Sequence, residues 1–93
     1  MNEKLIEKKL RLAVSELGGK AYKFSSPNNA GVFDRIVLMP SGRVWFVELK
    51  TTGKKPTALQ LLFKRDVEAM GFQTRVIDDE ITLKNFLDEI RTA

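Results

Sequence analysis

Two carboxylates and a lysine are the residues of this chain best able to do chemistry. In the run Val44-Trp45-Phe46-Val47-Glu48-Leu49-Lys50, the period-two alternation of a strand places Glu48 and Lys50 on one face with Val44 and Phe46. A carboxylate and an ammonium ending an apolar face need a reason, because desolvation disfavours a charge that is neither paired nor bound to a metal. Asp34 precedes a second apolar run, Ile36-Val37-Leu38, and a short hairpin between the runs would set it beside Glu48 and Lys50. Converging carboxylates repel one another and favour a hard divalent cation such as Mg²⁺ (or Mn²⁺), which takes oxygen ligands and keeps waters for a substrate phosphate. Such a cation polarises a phosphoryl oxygen and acidifies a bound water. A nearby lysine orients the nucleophile or offsets the negative charge of the transition state. The chemistry that fits is phosphodiester hydrolysis.

Composition narrows the alternatives. The chain has no cysteine and no histidine, which removes disulfides, thiolate and imidazole catalysis and the usual structural zinc sites. Any metal must sit on oxygen. Sixteen Lys plus Arg against 12 Asp plus Glu give a formal charge of +4, an excess that suits a polyanionic partner without demanding one. The start, Met1-Asn2-Glu3-Lys4, lacks the apolar core of a signal peptide and no long apolar run follows, so the expectation is a cytoplasmic protein with no membrane partner. With 93 residues, of which 43% are hydrophobic, the expectation is one domain over residues 1–93 with one modest core.

The elements that must position the site follow from periodicity. Ile6, Leu10, Ala13 and Leu17 recur at helical spacing over residues 3–17, and Gly18-Gly19 ends that helix. Residues 21–24 read as a short strand, and residues 25–31 as a polar turn-rich loop. Residues 32–39 and 43–49 are strands joined through Pro40-Ser41-Gly42, which predicts antiparallel pairing. Thr57 is a candidate N-cap for a second helix carrying Leu59, Leu62, Phe63, Val67 and Met70, closed by Gly71. A strand over 72–77 and a helix with Ile81, Leu83, Phe86, Leu87 and Ile90 complete the chain. The expected class is α/β: helix, three strands, helix, strand, helix, around a mixed central sheet.

Gly31-Val32-Phe33-Asp34, a hairpin, Glu48-Leu49-Lys50 and then Gln60 at the start of the next helix together resemble the VRR-NUC family. This is a restriction-endonuclease-like group of the PD-(D/E)xK class, whose stand-alone members are of phage and bacterial origin. The resemblance spans nearly the whole chain. It implies that Asp34 and Glu48 are metal ligands with the main-chain carbonyl of Leu49, that Lys50 is the catalytic lysine, and that Gln60 is a polar active-site residue. It further implies a leading-helix acid, for which Glu3-x-x-Ile6 and Glu7-x-x-Leu10 both fit. The family often has proline before the aspartate, where this chain has Phe33, so the entry to the strand is expected to differ. Stand-alone members resemble homodimeric Holliday-junction resolvases, which points to branched DNA as partner, a homodimer as assembly, and host cytoplasm as location if the chain is phage-encoded.

Plainer readings exist for each residue. An isolated Glu-x-Lys is ordinarily a surface pair, Asp34 can form a local ion pair with Arg35, and Gln60 can be a solvated helix residue. Glu3 and Glu7 both suit the positive end of a helix dipole. Lys54 and Lys55 can grip phosphates or simply be solvated, and Asn28 and Asn29 are turn formers before they are groove contacts. Trp45 faces away from Glu48, under a helix or at a dimer interface. A non-catalytic nucleic-acid-binding module is the alternative function, disfavoured by the company that Asp34, Glu48 and Lys50 keep. A protein-interaction domain would leave those three charges unexplained.

Overall fold

The computed structural model describes residues 1–92. Helix α1 (Glu3–Glu16) leads through a tight turn into β1 (Lys20–Lys23), β2 (Arg35–Met39) and β3 (Arg43–Leu49), then α2 (Ala58–Ala69), β4 (Gln73–Ile77) and α3 (Glu80–Thr92). The strands form one sheet in the order β1-β2-β3-β4. The first two pairings are antiparallel and β3 pairs with β4 in parallel. The expected mixed α/β architecture is therefore present, with α2 as the crossover between the two parallel strands.

Local chemistry sets the ends of the elements. The Asn2 side chain accepts from the amide of Leu5 at the start of α1, and Asp79 accepts from the amide of Thr82 at the start of α3, each supplying a partner for an otherwise unpaired first-turn donor. Thr57 caps α2 as its sequence position suggests. The α1–β1 turn needs glycine twice. Gly18 has φ +88, and a Cβ on Gly19 would lie 2.5 Å from the Leu38 carbonyl oxygen, so only a bare backbone lets helix and strand approach this closely. Between β2 and β3, Pro40–Gly42 forms a tight turn in which Ser41 and Gly42 take φ 69 and 75, in the left-handed region.

The two faces of the sheet differ. Ile6, Leu10 and Val14 of α1 and Leu83, Phe86 and Ile90 of α3 are buried against Val37, Met39, Trp45, Val47, Leu49 and Ile77. Trp45 meets the edge of Phe86 with ring centroids 6.0 Å apart, so it is core beneath a helix. Val14 joins the buried α1 stripe, Leu17 packs partly against the same core, and Ala13 is half-buried. On the other face α2 covers Phe46 with Phe63, centroids 5.8 Å apart, while Phe33 packs on Phe63 at 5.1 Å. Of α2's apolar residues only Val67 is buried; Leu59, Leu62 and Met70 are exposed. The stripe expected of α2 is thus a helix signal whose outer half stays largely exposed.

Candidate active site

Register builds the site. Arg35 pairs with Val47 and Ile36 with Phe46, so Asp34, one step before β2, lies opposite Glu48, at the penultimate position of β3. The hairpin fixes this: a slip of one residue would turn Glu48 into the apolar core. The main-chain amide of Asp34 donates to Glu48 Oε1 at 3.2 Å, and Lys50 Nζ lies 3.4 Å from Glu48 Oε2. The Lys50 amide donates to the Ile77 carbonyl at 2.9 Å, which carries the β3–β4 pairing past the end of β3 and anchors the lysine's backbone.

The carboxylates sit in different surroundings. Glu48 is buried, its side chain 7% exposed, whereas that of Asp34 is 32% exposed. Burial pushes the Glu48 carboxyl above its usual range, and the Asp34 charge pushes it further, with Lys50 opposing both. Arg35 Nη1 stands 3.0 Å from Asp34 Oδ2 and donates to the Asp34 carbonyl at 3.0 Å. The other oxygen, Asp34 Oδ1, is buried and has no hydrogen-bond partner. A buried acceptor without a donor is costly, and a cation would complete it.

A hard divalent cation fits this donor set. Asp34 and Glu48 supply two carboxylates at neighbouring positions, and among the described residues no group of three or more His, Cys, Asp or Glu could hold a metal. Two carboxylates fit Mg²⁺ or Mn²⁺, for which one or two suffice when waters and substrate phosphate fill the remaining positions. The carbonyl of Leu49 lies between Glu48 and Lys50 in sequence.

The remaining site residues divide. Glu3 is exposed in the first turn of α1, and Glu7, half-buried beside Ile6, pairs with Arg11 at 3.4 Å. Neither joins the bonds that link Asp34, Arg35, Glu48 and Lys50. The start of α1 nevertheless lies at the site's end of the sheet, because the Thr52 amide donates to the Met1 carbonyl at 3.1 Å. Gln60 serves its own helix: its Oε1 accepts from the Thr57 amide at 3.0 Å while its amide donates to Thr57 Oγ1 at 3.2 Å, a capping box. The loop before Asp34 is pressed on that same first turn. A Cβ on Gly31, which has φ +89, would stand 2.5 Å from the Leu59 carbonyl carbon.

Asn28 and Asn29 are exposed in the β1–β2 loop, where Asn29 Nδ2 donates to Ser26 Oγ at 2.8 Å. Lys54 and Lys55 are exposed in the loop between β3 and α2. Both loops flank the edge that carries Asp34 and Lys50. Two residues matter more than their sequence context suggests. Phe33 is wholly buried against α2, so the strand begins only at Arg35 and Asp34 lies in a bend before it. Arg35 shares the core-facing side of β2 with Val37 and Met39 and is 8% exposed; a charge at that alternation position was the available signal. The groove between α1 and α3, lined by Leu12, Leu83 and Leu87, lies on the opposite face and contains none of these residues.

No family model matches the chain. The chain is 45% identical over 80 residues to the protein named "Putative nuclease p44" of Acyrthosiphon pisum secondary endosymbiont phage 1, covering 86% of each chain. Among solved structures it is similar to a "VRR_NUC domain", with a TM-score of 0.86 and 26% identity over 92% of this chain and 94% of the other.

Proposed function

The chain belongs to the VRR-NUC family of nucleases, and on that basis we propose that it is a Mg²⁺- or Mn²⁺-dependent DNA endonuclease acting on branched DNA such as Holliday junctions as a homodimer. The observation that carries the metal-dependent reading is the buried, unpartnered Asp34 Oδ1 on the residue cross-strand from Glu48. Asp34, Glu48 and the Leu49 carbonyl would hold the cation, which when bound supplies phosphoryl polarisation and an acidified water.

The chain's own groups do the rest. Lys50 stands at the open end of the strand, 17% exposed in its side chain, where its ammonium offsets the negative charge that builds on the phosphate. Glu48 keeps that ammonium in place through Oε2, and the Asp34 amide fixes Oε1. Lys54, Lys55, Asn28 and Asn29 border the same edge and would contact the DNA backbone, the sequence-independent part of affinity. Gln60 and one of Glu3 and Glu7 remain candidates for the reaction alongside their structural roles. The branched substrate and the homodimer rest on resemblance to stand-alone members. They are supported by the small size of the chain, since a two-fold symmetric junction needs two cuts and a symmetric dimer offers two sites.

The test incubates purified protein with labelled four-way junction, duplex and single-stranded DNA in Mg²⁺, Mn²⁺ or EDTA. The expected result is metal-dependent cleavage, strongest on the junction and abolished by Asp34→Asn. Binding without cleavage under every metal would sink the catalytic reading. Equal cleavage of all three substrates, or a monomer at working concentration in sedimentation, would sink the junction and dimer parts alone.

A further inference from the structure

We propose that Arg35 is a positioning residue that presents Asp34 to the cation through one oxygen. This inference rests on the metal-dependent reading above. One nitrogen, Arg35 Nη1, reaches both the Oδ2 and the main-chain carbonyl of Asp34, each at 3.0 Å. That grip holds the carboxylate to one side, against its own backbone carbonyl. It pairs Oδ2 with the guanidinium and leaves Oδ1 buried without a hydrogen-bond partner among the described residues.

A purely structural ion pair would be expected to satisfy the groups it buries. Here the pair leaves Oδ1 open at the position across from Glu48, and Arg35 Nε is also without a partner. Arg35 is itself 8% exposed, so its guanidinium is placed to act on Asp34 rather than to meet a phosphate arriving from solvent. The arrangement parallels the outer groups that orient metal-bound histidines and carboxylates, whose loss typically weakens metal affinity or activity by about 10–100-fold. Arg35 also places a positive charge near the cation, which opposes binding. If that repulsion outweighed orientation, removing the arginine would tighten the metal, so the sign of the effect decides the matter.

The experiment titrates Mn²⁺ into DNA-free protein at near-neutral pH and counts free Mn²⁺ by electron paramagnetic resonance, for wild type, Asp34→Asn, Arg35→Gln and Arg35→Lys. The expected result is Mn²⁺ affinity weakened about 10–100-fold by Arg35→Gln. Arg35→Lys should fall in between, because an ammonium keeps the charge without the planar fork. In an Asp34→Asn background, Arg35→Gln should add nothing further. A structural role alone would lower the melting temperature and leave Mn²⁺ affinity unchanged; that result, or tighter binding, overturns the proposal. If Arg35→Gln does not fold, Arg35→Lys decides, and wild-type affinity in it is equally fatal. Failure of the underlying reading looks different: wild type and Asp34→Asn would then bind Mn²⁺ equally or not at all.

Discussion

The two faces of the sheet are built from alternate residues of the same strands and have opposite uses. On one face Trp45, Val47 and Leu49 meet Val37, Ile77 and two helices, and nearly every apolar group is buried. On the other, Val44 and Phe46 are only half-buried under a single helix, and the line ends in Glu48 and Lys50. The α1/α3 face supplies the hydrophobic stabilisation. This lets the α2 face retain a buried carboxylate with a raised pKa and an orphaned oxygen, features that cost stability where they stand. A site at the end of a strand inherits the rigidity of the core behind it, which it meets through Arg35.

The largest effects should separate the faces. Lys50→Ala should lower the cleavage rate by about 10²–10³-fold, the usual loss when one preorganised charge stabiliser is removed, and should move the melting temperature less than a core substitution does. Trp45→Ala should destabilise the fold by about 3–5 kcal/mol, as truncation of a buried aromatic does, while the molecules that remain folded cleave at close to the parental rate. Cleavage assayed well below the melting temperature, together with urea unfolding of both variants, checks the pair. A Trp45→Ala protein that stays folded and yet loses the rate as completely as Lys50→Ala would mean the faces are not separable.

How much of this was legible in the sequence follows from the same division. Asp34, Glu48 and Lys50 could be brought together because two short-range rules suffice: alternation gives the face, and a three-residue connection gives the register. The same alternation turned Trp45 away from Glu48, towards a helix or a dimer interface, and the structure sets it against Phe86 of α3. The α2 face was less legible. Helical spacing says that Leu59, Leu62 and Phe63 lie on neighbouring faces, but not that the sheet offers only Phe46 and its neighbours as a partner, or that Phe33 would reach in from a loop. Arg35 was visible only as a neighbour of Asp34. Its alternation with Val37 and Met39 could have signalled its burial, but the oxygen it leaves open depends on how the bend before β2 folds, which no periodicity encodes.

A middle-sized effect tests the electrostatic half of the comparison. Burial and Asp34 raise the folded-state pKa of Glu48 above 4.5, so between 4.5 and that higher value the folded chain keeps a proton that the unfolded chain has released. Over that window the stability of the metal-free protein should fall as pH rises. Glu48→Gln, uncharged throughout, should flatten this part of the profile. Added Mg²⁺ should stabilise the wild type increasingly as pH rises, since cation and proton compete for the same oxygens. Urea midpoints measured across the acidic range, with and without Mg²⁺, give both slopes. Wild-type and Glu48→Gln profiles that run parallel would show that Glu48 is not the group responsible.

The smallest expected effect is at Gln60, where one side chain has two roles to be told apart. Its Oε1 is committed to the Thr57 amide, and a glutamate at this position of a capping box makes the same bond. If the cap is its whole contribution, Gln60→Glu should leave melting temperature and cleavage near the parent. Gln60→Ala should then cost about 0.5–1 kcal/mol of stability and reduce cleavage only as the first turn of α2 loosens. A role in the reaction would act through the amide nitrogen, which the cap leaves free to donate towards a phosphate oxygen. Gln60→Glu replaces that donor by a negative charge, so cleavage would fall by tenfold or more while the melting temperature held. The glutamate variant therefore distinguishes the roles better than alanine does, because it preserves the bond seen in the structure and changes only the atom whose use is in question.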